Sequence, residues 1–384
     1  MSIKRSFLII VFSFLYFAIA FPQFRIRLLS DESDNLVIFK VIEGTYKIKS
    51  GSGKITDVNS GESVILTRMG NRLSVKTRNE NGFTCDSVEL IMVGSECQFS
   101  LRTESENSLK RIYNGNLICK SDLGSVFLIN TPDTEDYIAG VVMAEGGNGG
   151  SVEYYKTQAV LVRTYLNKYE KKHINDFFNL CDGVHCQAYH GITTDSLIVN
   201  AVLKTKGEVI TDQDSVLIIS AFHSNCGGET VAAADVWLID QPYLKKVIDP
   251  YCLSSRNATW ETRISTADWT AYLQKKSFME NITAPSVFNF TQKNRKVNYA
   301  VATFNYPLTV IRADFGLKST FFSVTSAGDY VILKGKGYGH GIGLCQEGAM
   351  VMAKKGLDYK QIINFYYSCV KLIDVKHVKF ADDI

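Results

Sequence analysis

One change of period organises this sequence. From about residue 22 to 130, apolar and polar residues alternate in short runs, as at 35–41, 63–67 and 87–93. Breakers such as Gly51-Ser52-Gly53, Asn81-Gly82 and Asn114-Gly115 separate the runs. A two-residue period with turn punctuation predicts β-strands. Residues 125–130 form one more such run, leading into Thr131-Pro132-Asp133-Thr134, a helix start. Beyond it Tyr137, Ile138, Val141 and Val142 share one face of a helix over 134–145. Gly146-Gly147-Asn148-Gly149-Gly150 stops that helix, and Ser151 can cap a second one running to about Lys172. The apolar stripe of the second helix is Tyr154, Leu161, Val162, Tyr165, Leu166 and Tyr169. Strands return over about 207–223 and 297–335. Helices follow over about 345–355 and, behind Asp358, about 359–367. Strands, helices, strands, helices is the order of an α+β fold, not of a regular βαβ array.

The N-terminus bears on compartment. Lys4 and Arg5 precede an unbroken apolar run that ends in Ala18-Ile19-Ala20, the small-x-small pattern of signal-peptidase sites. Residues 1–20 therefore read as a signal peptide, with an uncleaved anchor as the alternative, and either places the body outside the cytoplasm. Cleavage removes two positive charges and takes the net charge from +3 to +1. No later segment reaches the roughly 20 apolar residues of a membrane-spanning helix. An apolar fraction of 46% and a charged fraction of 21% exclude a mostly disordered chain and a multi-span membrane protein. Without a long basic run, nucleic acid is not an expected partner. The expected organisation is a signal peptide at 1–20, a β-rich N-terminal domain at 21–124 and a catalytic domain at 125–384.

Four clusters carry chemistry. Glu145 ends the first helix, where the negative end of the helix dipole opposes a second negative charge. Partial burial there would raise its pKa and make it a general acid; a solvated glutamate at a frayed end is the plain alternative. Cys181, His185 and Cys186 lie within six residues, with His173 upstream. Two cysteines and histidines suit zinc, and a Cys181–Cys186 disulfide is the alternative on spacing. The third cluster is His223-Ser224-Asn225-Cys226-Gly227-Gly228-Glu229; no G-x-S-x-G elbow accompanies it, which argues against a serine hydrolase. The fourth runs from Gly335 to Gly343 around His340, with Gln346 just after it. It lacks the G-K-[S/T] ending of a phosphate loop, so a glycine-lined pocket presenting His340 is the better reading.

In order, these clusters resemble the sporulation stage II protein D family, also called the amidase-enhancer or SpoIID/LytB family. The matching stretches are EDYIAGVVMAEGG, YYKTQAVLVRTYLNK, LCDGVHCQAYHG, FHSNCGGET, VWLIDQPYL, GYGHGIGLCQEGAMVMAKKG and INFYYS, within about residues 131–370. The resemblance implies a lytic transglycosylase that cuts peptidoglycan glycan strands freed of their stem peptides. It puts the catalytic glutamate on Glu145 and, as in some members, zinc near Cys181, His185 and Cys186. Many members follow the glutamate with a pair ending in proline. The glycine-rich run here implies a longer or looser loop beside the acid.

One carboxylate suffices for such a reaction, whereas ordinary glycoside hydrolysis uses two. Glu145 would protonate the oxygen linking MurNAc to GlcNAc, and the sugar's C6 hydroxyl would close on C1 to leave a 1,6-anhydro end. Gln158, His223, Asn225, His340 and Gln346 are candidates for positioning the sugar. Arg163 would orient Glu145 or cap a helix pair. Glu229 and Asp249 are reserve carboxylates whose essentiality would favour hydrolysis. Zinc on two thiolates would be structural. Among the nine cysteines, Cys226–Cys252 and Cys85–Cys97 are candidate disulfides. The non-enzymatic alternative is a peptidoglycan-binding enhancer of a cell-wall amidase. A zinc peptidase is disfavoured by the absence of H-E-x-x-H.

Overall fold

The computed structural model describes residues 24–379 apart from 33, 52, 54, 79–81, 105–110, 123, 238, 278–287 and 302–303. The signal-peptide reading of residues 1–20 lies outside the described residues. The fold is α+β. Its largest sheet has eleven strands. In sheet order nine of them are Leu180–Cys181, Ile26–Leu28, Ser125–Thr131, Asn116–Asp122, Ser87–Thr103, Leu36–Ser50, Ser63–Met69, Arg72–Thr77 and Phe83–Cys85. Ile55–Asn59 pairs with Leu36–Ser50, and Arg111–Asn114 pairs with Ser87–Thr103. Alternation explains the arrangement: Val37, Phe39, Val41, Tyr46 and Ile48 are buried while their neighbours turn outward.

Two helices then pack on this sheet's core. Helix α1 spans Thr134–Gly146, and the Asp133 side chain caps it by accepting from the Glu135 and Asp136 amides. Its expected stripe, Tyr137, Ile138, Val141 and Val142, is buried. Helix α2 spans Val152–Lys168 behind Ser151, which occupies the N-cap position without a side-chain hydrogen bond. It ends about a turn earlier than its pattern predicts. Helix α3, Ser196–Lys204, adds a third layer that the sequence reading omits. Short helices α4, Ala233–Trp237, and α5, Thr266–Ser277, follow. Helix α6, Leu308–Asp314, falls within the stretch read as strands. Helices α7, Gln346–Lys354, and α8, Tyr359–Tyr366, match expectation, and Asp358 with Gln361 forms a capping box for α8.

A second core gathers Trp260, Trp269, Leu273, Phe290, Tyr299, Leu308 and Val324. It sits on a three-stranded sheet of Thr259–Ser265, Tyr330–Lys336 and Phe322–Ala327. The last strand of chain order in that sheet, Tyr330–Lys336, feeds the glycine-rich loop directly. That loop then runs back against strand Phe222–His223, which pairs in parallel with Leu344–Cys345. The approach is close enough that side chains are barred: a Cβ on Gly339 would lie 2.7 Å from the His223 Cβ, and one on Gly343 would lie 2.1 Å from the Ala221 carbonyl. Among the described residues, no helix is long and apolar enough to cross a membrane.

Candidate functional site

Glu145 stands in the last turn of α1, half-buried, at the edge of a cleft of about 440 Å³. The cleft is also lined by Tyr165, Tyr169 and Lys172 from the end of α2 and its following turn, and by His185 and Gln187. Phe222, Trp237 and His340 close the other side. Two contacts hold Glu145 from opposite sides. Its Oε1 accepts from the Ala188 amide at 2.8 Å. Its backbone carbonyl, an orphan of the helix end, accepts from Gln346 Nε2 at 3.0 Å. Burial raises the pKa of the carboxyl group, and the Ala188 amide bond opposes that in part. The loop behind it is tied down rather than loose. Tyr154 Oη donates to the Gly146 carbonyl and Tyr155 Oη to the Gly147 carbonyl, at 3.3 and 3.2 Å, and the Gly150 amide donates to Tyr155 Oη at 3.0 Å.

The segment that delivers Ala188 is itself anchored. Leu180–Cys181 adds to the large sheet in parallel with Ile26–Leu28. The buried Asp182 carboxylate accepts from the Leu29 and Ser30 amides at 2.7 and 2.9 Å, with Arg111 3.7 Å away. Around this turn His173, Cys181, His185 and Cys186 converge, with one donor atom from each within 4.8 Å of the rest. Cys181 Sγ and Cys186 Sγ each lie 3.7 Å from His185 Nδ1, and Cys186 Sγ lies 3.5 Å from His173 Nε2. A tetrahedral zinc with bonds of about 2.3 Å to sulfur and 2.0–2.1 Å to nitrogen sets N···S edges near 3.5–3.6 Å. The far nitrogen of His173 meets the Asp176 carboxylate at 3.2 Å, the second-shell partner that orients a zinc-binding imidazole. The four expected ligands thus form one set whose donor chemistry and spacing fit zinc.

The expected sugar-positioning residues divide. His340 lines the cleft. Its Nδ1 accepts from the Ile342 amide at 3.0 Å and its Nε2 faces the Phe222 carbonyl at 2.9 Å, so both nitrogens are used by the protein. Burial lowers its pKa to about 4 and keeps it neutral. His223 lies behind it, buried, with Nδ1 on the Ile342 carbonyl at 3.1 Å and Nε2 without a partner. Gln158 and Gln346 are buried with their side chains 3.5 Å apart. Asn225 is also buried and binds Glu347 Oε2 at 2.6 Å and the Cys252 carbonyl at 3.1 Å. Arg163 does not reach Glu145. It pairs with Glu135 at 2.6 Å and donates to the Val202, Thr205 and Glu208 carbonyls, capping the end of α3. The reserve carboxylates are also engaged elsewhere: Glu229 with Lys246 at 2.7 Å, and Asp249 with Tyr366 at 2.9 Å.

Four cleft residues escape the sequence reading. Tyr165 and Tyr169 read as core stripe, yet their rings, 4.5 Å apart, face the cleft. Trp237 sits in the quoted stretch VWLIDQPYL, and its ring lies 5.5 Å from that of His340. Gln187 is buried in the cleft wall with both amide atoms unpartnered. A larger cavity of about 510 Å³ holds Asp133, Glu135 and Arg163, but their charged groups already serve as cap and ion pair.

Residues 123–211 match the family model described as SpoIID, stage II sporulation protein. The chain is 29% identical over 335 residues to an uncharacterized protein of Brachyspira hyodysenteriae, covering 84% of this chain and 89% of that protein. It is 27% identical over 378 residues to the amidase enhancer of Bacillus subtilis, covering 84% of this chain and 49% of that relative, about half its length. It is 28% identical over 252 residues to the stage II sporulation protein D of Bacillus subtilis, covering 61% and 72% of the two chains.

Proposed function

This chain belongs to the stage II sporulation protein D (SpoIID/LytB) family, and on that premise we propose that it is a peptidoglycan lytic transglycosylase working outside the cytoplasm. The observation that carries the reading is the carboxylate census of the cleft. Among the described residues lining it, Glu145 is the only acid. A cleft with one carboxylate lacks the flanking pair of ordinary glycoside hydrolysis.

In the proposed reaction, protonated Glu145 gives its proton to the oxygen joining MurNAc C1 to GlcNAc. The C1–O bond breaks and positive charge develops on the MurNAc ring. The resulting carboxylate, still accepting from the Ala188 amide, removes the proton of the same sugar's C6 hydroxyl. That oxygen bonds to C1, giving a 1,6-anhydro end and returning the proton to Glu145. The nucleophile is intramolecular, so its effective concentration is high and no water is consumed. Tyr165, Tyr169 and Trp237 offer faces to the apolar sides of sugar rings. The unpaired Gln187 amide suits an acetamido or hydroxyl group. Zinc on His173, Cys181, His185 and Cys186 would act as a staple. Two thiolates would donate charge to the ion and blunt its Lewis acidity, leaving it to hold the turn that presents Ala188.

The test is a digest of peptide-free glycan strands by wild type and Glu145→Gln, read by mass. Wild type should release anhydro-ended sugars. The variant should lose roughly 10²–10⁴-fold or more, the usual worth of general acid–base catalysis. Folded wild type that yields no anhydro ends would instead support a non-catalytic enhancer of an amidase.

A further inference from the structure

A second set of metal-type donors lies outside the cleft. Cys226, Asp249, Cys252 and Cys345 are all buried, and one donor atom from each lies within 4.8 Å of the other three. They come from separate parts of the chain: the turn after Phe222–His223, the loop at 249–252, and the N-cap of α7. Cys226 Sγ is 3.4 Å from Cys252 Sγ and 3.2 Å from Asp249 Oδ2. A tetrahedral zinc with sulfur and oxygen ligands has edges of roughly 3.5–3.8 Å, so these contacts need open by only about 0.3–0.4 Å to seat the ion.

We infer that Cys226, Asp249, Cys252 and Cys345 hold a second metal ion, zinc by its preference for thiolates, in a closed structural site. The surroundings are built for thiolates. The Cys226 and Gly348 amides donate to Cys345 Sγ at 3.2 and 3.4 Å, and the latter belongs to the open first turn of α7. Asp249 has an outer partner for each oxygen, the Tyr251 amide at 2.8 Å and Tyr366 Oη at 2.9 Å. Position 348 is a glycine, and a Cβ there would lie 2.3 Å from the Asp249 carboxylate. Three thiolates and a carboxylate leave net negative charge around a divalent ion. The half-buried Arg295 stands beside them, its guanidinium donating to the Cys226 carbonyl at 2.6 Å. A Cys226–Cys252 disulfide, the candidate pairing from sequence, would employ two of these groups and leave the Cys345 thiol and a fully buried carboxylate outside the bond. All nine cysteines are unbridged here.

The test is metal stoichiometry on the full chain, purified without chelator or reductant. Elemental analysis should find two zinc ions per chain, falling to one in Cys252→Ser and to one in Cys186→Ser. On cobalt exchange, thiolate-to-metal charge-transfer absorbance should equal that of five thiolates in wild type and two in Cys252→Ser. Should Cys252→Ser fail to fold, the wild-type stoichiometry and cobalt absorbance still decide. Fewer than two ions in wild type, a two-thiolate absorbance, or a tryptic peptide pair joined by a Cys226–Cys252 disulfide would each overturn the assignment. None of these readouts depends on glycan cleavage.

Discussion

Replacing Glu145 by glutamine should stabilise the protein while removing its activity. Burial raises the carboxyl pKa more than the Ala188 amide lowers it. A folded-state pKa above the unfolded value of about 4.3 means that folding favours the protonated form. The associated stability is complete below the unfolded pKa and is lost as pH rises through the folded one. Glutamine carries no charge at any pH and escapes that loss. Each unit of elevation is worth about 1.4 kcal/mol. Against this, the Ala188 amide exchanges a charged acceptor at 2.8 Å for a neutral one, a loss of up to about 1 kcal/mol. Because burial dominates, the net sign favours glutamine. For domains of 150–250 residues, about 1 kcal/mol moves Tm by roughly 2–4 °C. Thermal denaturation of both proteins in matched buffers from pH 5 to 8.5 should show a variant advantage of that order at the alkaline end, shrinking toward the acid end. A variant that is less stable at pH 8, or an offset that does not change with pH, would refute the claim that this carboxyl is held toward its protonated form.

Other expectations follow from the same contacts. Asp182→Ala deletes the acceptor of two amides that fasten the 181–186 turn to the large sheet; the urea midpoint should fall by the equivalent of about 2–4 kcal/mol, and an unchanged midpoint would remove Asp182 from the architecture. Chelation of zinc should lower Tm and weaken strand cleavage together, because Ala188 lies two residues beyond Cys186; a chelator-indifferent Tm with no metal by elemental analysis would count against the first site. Trp237→Ala or Tyr169→Ala should raise KM roughly tenfold or more with kcat nearly kept, as expected when about 1.5–3 kcal/mol of apolar contact is lost; an equal fall in kcat alone would place these rings in the chemistry instead.

Local patterns carried far in this sequence. The stripe of α1, its Asp133 start signal and the Asp358 cap of α8 are short-range features, and each appears where alternation or a 3.6-residue period places it. Long-range roles were not legible in the same way. Arg163 and Asn225 look like active-site residues because they sit in polar motifs, but the groups that take their side-chain N–H donors lie 27 residues or more away in sequence. Thr205 and Glu208 take the Arg163 guanidinium, and Glu347 takes the Asn225 amide. Tyr165 and Tyr169 share a helical face with Leu161 and Leu166, so periodicity assigns them to the core. Only the termination of α2 at Lys168, with the 180–188 segment laid across its end, turns that part of the face into a cleft wall.

The positions of the two cysteine clusters relative to Glu145 give them a common mechanical sense. A general acid must keep a raised pKa and a fixed direction at once, and a carboxylate at a helix end has neither by default, because helix ends fray and solvate. Here the helix end is gripped at two atoms. The amide that meets the Glu145 carboxylate belongs to Ala188, two residues past Cys186. The side chain that meets its carbonyl belongs to Gln346, the residue after Cys345. Each grip is therefore about as rigid as the cysteine cluster next to it, and the clusters are fastened to different parts of the fold: one to the large sheet through Leu180–Cys181, the other to α7 and the 249–252 loop. Loosening the first should act on the carboxylate and shift the alkaline limb of the pH–rate profile, where the protonated acid is lost. Loosening the second should act on the carbonyl and the helix end, lowering kcat with the profile's shape retained. Variants of the proposed zinc ligands, Cys186→Ser and Cys345→Ser, compared by pH–rate profile, separate these two effects, and identical profiles would show that the clusters serve stability alone.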